Sequence, residues 1–232
     1  MTPTPSKDMD GRVAIAACRV LEPELEAVRN NDRKVRILYL DQGLHRTPQW
    51  MAGQVQEKID QAAEGADRVV LGYGLCSNGI AGVRAGNRGL IVPRCHDCIS
   101  FFLGSPGAYQ KDFDSRPGTY YLTPGWVAER KDPLGIIEAE YVPRYGRETA
   151  EWAKREELKH YTHIVLIDTG VVDMGPIRKI ARENARFFKM EYVEIEGRSL
   201  AYFKKLIYGP YPPDAFIHLG PGATVTQEMF FD

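Results

Sequence analysis

The chain has 232 residues, of which 44% are hydrophobic and 26% are charged, as in an ordinary globular protein. With 30 Lys and Arg against 31 Asp and Glu, its net charge of -1 argues against a nucleic-acid-binding protein. No apolar run approaches the roughly 18 residues of a membrane span, and the polar, proline-rich residues 1–10 resemble neither a signal peptide nor an anchor. We therefore expect a cytoplasmic protein that binds no nucleic acid and no membrane, with its four cysteines reduced.

Short apolar runs alternate with longer helical patterns, which is typical of α/β proteins. Strands are predicted at 12–18, 35–40, 68–73, 89–93, 163–168, 190–195 and 215–219. Helices are predicted at 23–29, 47–64, 97–103, 147–160, 176–188 and 199–208. The pattern predicts, after a flexible segment 1–10, a single α/β domain over 11–232 in three layers. Its mostly parallel sheet has about seven strands joined by right-handed crossovers.

The middle of the chain, residues 104–146, differs from the rest. It is rich in Gly, Pro and aromatic residues, and its turn signals predict an insertion or lid with short irregular strands. The flanking stretches 11–103 and 147–232 are candidate pseudo-halves. Tyr120 and Trp126 in this insertion either contact a substrate and exclude water, or fill a core.

Every cysteine follows a predicted strand. Cys18 ends the first strand, Cys76 follows the third, and Cys95 and Cys98 follow the fourth. Because ligands of open parallel sheets bind beyond the carboxyl ends of the strands, we expect the cysteines to gather at one functional edge.

Thiolate and imidazole are the donors that zinc prefers. His96 and Cys98 can both reach one ion from a single turn, Cys76 would be the third ligand, and Cys18 a fourth or a substitute. The alternative is that Cys18 and Cys76 are simply buried, as free cysteines often are. Four soft ligands also suit an iron–sulfur cluster. A redox pair of Cys95 and Cys98 lacks the thioredoxin-type context.

Other polar residues follow the same strand ends. Arg94 has the forked geometry that binds a carboxylate or phosphate. The loop after the third strand offers an anion its backbone N–H groups, or is only a tight turn. Its candidate substrate-binding residues are Gly74, Ser77 and Asn78. His45 and Asp168 are candidates for moving protons, although a lone His in a loop and an Asp at a strand end often have no such role.

A set of short motifs in a fixed order resembles the family of unknown function numbered 1638. The motifs are Ala16-Ala-Cys18, Leu44-His45, Tyr73-Gly-Leu-Cys76, Pro93-Arg94, His96-Asp-Cys98, Leu103-Gly-Ser105, Pro117-Gly-Thr-Tyr-Tyr121, Gly125-Trp126 and Asp168-Thr-Gly170. The resemblance covers almost the whole chain beyond residue 10. It implies that Cys18, Cys76, His96 and Cys98 act as a set, without Cys95. It also implies a genomic association with corrinoid-dependent methyltransferases, and therefore a corrinoid protein as a candidate partner.

The His96-x-Cys98 pair is also similar to the ligands of zinc-dependent corrinoid methyltransferases, which have another fold and another ligand order. In those enzymes zinc lowers the pKa of a thiol substrate. We therefore expect a metal-dependent transferase, with zinc, acting on a small thiol or anionic substrate in one-carbon metabolism. The alternatives are a non-catalytic metal, iron–sulfur or corrinoid accessory protein, and a metal-free cysteine racemase or lyase.

Overall fold

The computed structural model describes residues 11–46, 48–197 and 200–231. The predicted flexible segment 1–10 and the predicted helix start at Ser199 lie outside these ranges. The chain divides into two compact units. One unit combines Met1–Cys98 with Ala201–Asp232, and the other is Ile99–Leu200.

The chain contains both strands and helices, with the following bounds. The strands are β1 Val13–Cys18, β2 Val35–Leu40, β3 Arg68–Gly72, β4 Leu90–Pro93, β5 Thr119–Leu122, β6 His163–Asp168, β7 Glu191–Glu196 and β8 Phe216–Leu219. The helices are α1 Glu22–Arg29, α2 Pro48–Ala63, α3 Ile99–Leu103, α4 Pro106–Ser115, α5 Pro124–Ala128, α6 Pro133–Ile136, α7 Val142–Tyr145, α8 Arg147–Glu157, α9 Gly175–Phe188 and α10 Ala201–Tyr208. In the described part of the chain, 3₁₀ helices cover Arg19–Leu21, Gln42–Arg46 and Gln227–Phe230, and a π-helical turn covers Ile137–Tyr141.

The first unit is built on a five-stranded sheet with the order β2-β1-β3-β4-β8. β1 pairs in parallel with β2 and β3, β3 pairs in parallel with β4, and β8 runs antiparallel to β4. α2 packs on β1, β2 and β3 through an apolar stripe, while α10 contacts β1 and β3 and packs against α1. All six residues of β1 are buried, as expected for a central parallel strand with both faces covered.

The second unit has its own three-stranded parallel sheet with the order β5-β6-β7. Its core contains Leu122, Ile164 and Leu166 from the sheet, with Ala181 and Ala185 from α9. A buried hydrogen bond joins the residue before α6 to α9. In it, Asn184 Nδ2 donates to Asp132 Oδ1 over 2.7 Å. This unit therefore has a sheet and a core of its own.

The α/β class, the position of each predicted strand and the mostly parallel pairing are confirmed. The single sheet of about seven strands is wrong, because the strands divide into sheets of five and three. The stretch 119–122, predicted as a short irregular strand, is the regular strand β5 that pairs with β6. The segment 99–200 lies in sequence between β4 and α10, so the chain leaves the first sheet, completes a second one and then returns to add β8.

Within the described ranges, no helix is both long enough and apolar enough to cross a membrane.

Candidate functional site

Three neighbouring strands of the first sheet end at the same edge. β1, β3 and β4 are consecutive neighbours and run parallel, so their carboxyl ends lie side by side. Cys18 is the last residue of β1, Cys76 follows β3, and the loop 94–98 follows β4. The predicted gathering of the cysteines at one edge is therefore what the topology produces.

Main-chain hydrogen bonds hold the loop after β3 against the loop after β4. Leu75 N donates to Cys95 O over 2.9 Å, and Cys76 N donates to His96 O over 3.0 Å. Gly74 makes this approach possible, since a Cβ there would lie 3.0 Å from Cys95 O and 3.1 Å from the Asp97 backbone. The two loops continue the parallel pairing beyond the strands, and this places Cys76 beside residues 95–98.

The backbone then turns through three left-handed residues in succession. Cys76, Ser77 and Asn78 have φ angles of 48°, 56° and 65°. For residues with a Cβ, this conformation costs about 1–2 kcal/mol each. The turn is closed by a hydrogen bond from Gly79 N to Cys76 O over 3.0 Å, and a Cβ at Gly79 would overlap the sulfur of Met51 on α2. Consecutive left-handed residues other than glycine are uncommon and concentrate at functional sites.

The thiols at this edge lie in one electrostatic neighbourhood with Tyr73. Burial, and then the charges of Cys18, Cys76 and Cys98, raise the pKa of the Tyr73 hydroxyl. The charge of Cys76 also acts on Cys18, and the charge of Cys18 acts on Cys98.

Burial keeps most of these groups neutral in the absence of a metal. It raises the pKa of Cys18 to about 12, and it raises the pKa of Tyr73 and of Cys95 well above their ordinary values. The pKa of Cys98 is raised first by the neighbouring Cys76 side chain and then by burial. Cys18, Cys95 and Cys98 are no more than 3% exposed, whereas Cys76 is half-buried. Cys76 is therefore the cysteine that solvent reaches most readily.

His96 takes a different position from the thiols. Its side chain is exposed, and its ring packs on Phe231 with the ring centres 4.8 Å apart. Over residues 11–46, 48–197 and 200–231, no three His, Cys, Asp or Glu side chains are grouped so as to hold a metal ion as they stand. Cys76 and Cys98 are of the ligand type that zinc prefers, and a zinc site here would require side chains to turn towards one another.

The other strand-end candidates of the first unit have distinct surroundings. Arg94 is half-buried, and its Nη1 donates to Met229 O over 2.5 Å, so it holds the C-terminal 3₁₀ helix. Gly74 is buried and serves the close approach of the two loops, while Ser77 and Asn78 are exposed on the left-handed turn. His45 lies in the 3₁₀ helix Gln42–Arg46 that follows β2.

The remaining candidates lie in the second unit, where each has a local partner. Asp168 Oδ2 accepts from Arg178 Nη2 over 2.8 Å, and its Oδ1 accepts from Gly170 N over 2.8 Å. Tyr120 and Trp126 pack against the core of this unit, and the Tyr120 hydroxyl donates to Lys131 O over 2.8 Å. Both aromatic residues are partly buried and pack against this core, which is one of the two roles expected of them.

Sequence reasoning missed Tyr73, Phe231 and the closeness of Cys95 to Cys76. A tyrosine that follows a mostly buried strand, directly before the loop that contains Cys76, was a usable signal. Phe231 gave no signal, since its contact with His96 depends on how the C-terminal segment folds back. Cys95 is buried, and the charge of Cys76 raises its pKa, so it belongs to the thiol cluster, defined here as Cys18, Cys76, Cys95 and Cys98.

Residues 39–207 match the family described as "Protein of unknown function (DUF1638)". The match includes Cys76, Cys95, His96 and Cys98, and it begins after Cys18. No curated protein and no solved structure shows a significant match. Since the matched residues make up well over half of the chain, this protein belongs to the DUF1638 family.

Proposed function

We propose that the protein binds a thiophilic metal ion, zinc in the first place, at the thiol cluster and acts there on a small molecule. The observation that supports this most directly is the position of Cys18, Cys76 and Cys98 at the carboxyl edge of the first sheet, where Cys76 N donates to His96 O. In open parallel sheets this edge is where ligands bind. Cys18 is the third ligand of the proposal, and His96 is the fourth ligand after its ring leaves Phe231.

The protonation of the thiols favours a metal over a free cysteine nucleophile. A metal-free racemase or lyase needs a thiolate, but burial raises the pKa of Cys18 to about 12. A metal ion, in contrast, displaces the thiol protons when it binds. Bound zinc would supply Lewis acidity that lowers the pKa of a substrate thiol.

The residues at the rim would serve binding and proton transfer. Ser77 and Asn78 are exposed on the left-handed turn and can contact a polar or anionic part of the substrate. His45 follows β2, the neighbour of β1, and is the candidate proton acceptor. Methyl transfer in one-carbon metabolism, with a corrinoid protein as partner, rests on the family resemblance alone and is the narrowest form of the proposal.

The position of Cys95 favours an iron–sulfur protein as the second candidate. Cys95 is buried and lies near enough to Cys76 for the charge of that residue to raise its pKa. Four cysteines in one neighbourhood match the ligand number of an iron–sulfur cluster. The two candidates differ in Cys95, which only the cluster requires.

Anaerobic purification followed by elemental analysis and visible spectroscopy tests both candidates. The zinc proposal expects about one colourless zinc per chain, which Cys98→Ser removes and the matched control Cys95→Ser retains. A brown chromophore with iron and sulfide, lost in both variants, would support the iron–sulfur candidate instead. Absence of bound metal, even after reconstitution with zinc or with iron and sulfide, would overturn both.

A further inference from the structure

We propose that a basic groove at the amino edge of the first sheet, where β1 and β2 begin, binds a small phosphate-bearing anion. The thiol cluster lies at the opposite edge, because β1 starts beside this groove and ends at Cys18. The inference therefore concerns a second site, apart from the metal site proposed above. The basic groove is the cleft lined by Arg12, Arg33, Lys34, Arg36, Glu64 and Gly65.

Parallel strand pairing brings the first cations of the basic groove together. Val13 and Val35 are register partners at the start of β1 and β2. Arg12 and Lys34 directly precede these residues, and Val13 N donates to Lys34 O over 2.9 Å. Arg33 precedes Lys34 in the same turn before β2. Three cationic residues therefore lie at the starts of two adjacent strands.

The turn after α2 positions two guanidinium groups on the other side of the basic groove. Arg36 Nη2 donates to Glu64 O over 3.0 Å, and it also donates to Ala62 O over 2.9 Å near the end of α2. These bonds leave the Nε and Nη1 groups of Arg36 unused. A Cβ at Gly65 would lie 3.7 Å from Arg12 Nη1, so the Arg12 side chain reaches the same turn.

Positive charge exceeds negative charge in the basic groove. Its cationic side chains are those of Arg12, Arg33, Lys34 and Arg36. Glu64 is the carboxylate of the lining, and Asp67 lies beside it, with its Oδ2 3.7 Å from Arg12 Nε. Four positive charges against these two negative charges leave a local excess of two, although the whole chain has a net charge of -1.

The size and chemistry of the basic groove favour a phosphate group as its ligand. It encloses about 220 Å³. That is the liquid volume of about seven water molecules, enough for a phosphate with a short substituent. The planar fork of a guanidinium matches two phosphate oxygens, and a dianion would balance the local excess of positive charge. A nucleic acid would instead require a basic stripe and a basic chain.

Isothermal titration calorimetry of the full-length protein with inorganic pyrophosphate tests the proposal at low ionic strength, where screening is weak. We expect saturable binding. Arg33 is exposed in its turn, so Arg33→Gln removes a charge without removing a buried contact. It should weaken pyrophosphate binding by about tenfold, since a charge-assisted hydrogen bond is lost.

Arg84→Gln is the matched control for Arg33→Gln. Arg84 is also exposed and lies in the same unit, but it does not line the basic groove. The same change of charge there should alter the dissociation constant by less than about twofold. Cys98→Ser should bind pyrophosphate as tightly as the parent protein, whatever its metal content. This last variant separates the anion site from the proposed metal site.

Three results would overturn the proposal. The first is that pyrophosphate does not bind to the protein. The second is that Arg33→Gln and Arg84→Gln, both shown to be folded by circular dichroism, weaken binding equally, which would indicate diffuse attraction to the surface. The third is that a single-stranded oligothymidylate binds more tightly than pyrophosphate and loses affinity in Arg33→Gln, which would indicate a nucleic-acid-binding surface instead.

Discussion

The backbone N–H of Cys76 donates a hydrogen bond to the carbonyl oxygen of His96 over 3.0 Å, although the two residues follow different strands of the first sheet. The two residues meet because β3 and β4 are parallel neighbours. Gly74 permits the approach of the two loops, and the left-handed turn then carries the chain away from it. The position of Cys76 beside residues 95–98 is thus a property of the backbone.

The left-handed turn should respond to substitutions at Ser77. Ser77 has a φ of 56° and an exposed side chain, so Ser77→Gly relieves strain without removing a buried contact. We expect the free energy of unfolding of this variant to be about 0.5–1 kcal/mol higher than that of the parent protein. Ser77→Val should lower it by more than about 1 kcal/mol, since a β-branched residue tolerates positive φ poorly. Urea titration of both variants measures this difference, and equal stabilities would show that residue 77 does not hold the left-handed conformation.

The close pairing of β1 and β3 should make Gly72 sensitive to a single added methyl group. A Cβ at Gly72 would lie 2.6 Å from Ala17 Cβ and 3.0 Å from Ala17 Cα. We expect Gly72→Ala to lower the free energy of unfolding by about 1–3 kcal/mol, because the two strands must move apart. It should also disturb the position of the adjacent Cys18.

Gly53→Ala is the matched control for this prediction. Gly53 lies exposed within α2, and a Cβ there would meet nothing within 4 Å. The same chemical change should therefore raise the free energy of unfolding by about 0.5–1 kcal/mol, as expected for replacing a helical glycine. Thermal or urea denaturation of the two variants should give shifts of opposite sign, and shifts of the same sign would contradict the proposed strand contact.

The buried side-chain amide of Asn184 should stabilise the second unit. Its side chain donates to Asp132 Oδ1 and to Ile180 O over 2.7 Å and 2.9 Å, and it accepts from Leu134 N over 2.8 Å. Asn184 is fully buried, so Asn184→Ala leaves these groups without a hydrogen-bond partner and without water. We therefore expect the free energy of unfolding to fall by about 1–3 kcal/mol.

The exposed pair of Gln110 and Asp114 provides the comparison for Asn184. Gln110 Nε2 donates to Asp114 Oδ1 over 2.7 Å at the surface of α4. Gln110→Ala should change the free energy of unfolding by no more than about 0.5 kcal/mol, since water replaces the lost contact. Urea unfolding, monitored by tryptophan fluorescence, measures the free energy of unfolding of both variants. If Asn184→Ala lowers it no more than Gln110→Ala does, the buried hydrogen bonds of Asn184 do not stabilise the unit.

Local patterns in the sequence were enough to place the strands of the first sheet and the cysteines at their ends. The apolar run 35–40 predicts β2 with its observed bounds, and the run 12–18 predicts β1 to within one residue. Short-range patterns identify such elements because each strand needs its own apolar residues. From there, the parallel arrangement of an α/β chain predicts that Cys18, Cys76 and Cys98 end at one edge.

Only the tertiary structure decided how the strands divide and which side chains meet. The sequence predicts 163–168 as a strand of the single sheet and 119–122 as an irregular strand of the insertion, yet the two pair with each other in a separate sheet. Strand pairing is a long-range choice that local hydrophobicity does not encode. In the same way, only the structure adds that Asp168, a candidate for moving protons, forms an ion pair with Arg178. The position of Cys76 beside residues 95–98 likewise depends on main-chain hydrogen bonds between two loops, which the order of residues along either loop does not reveal.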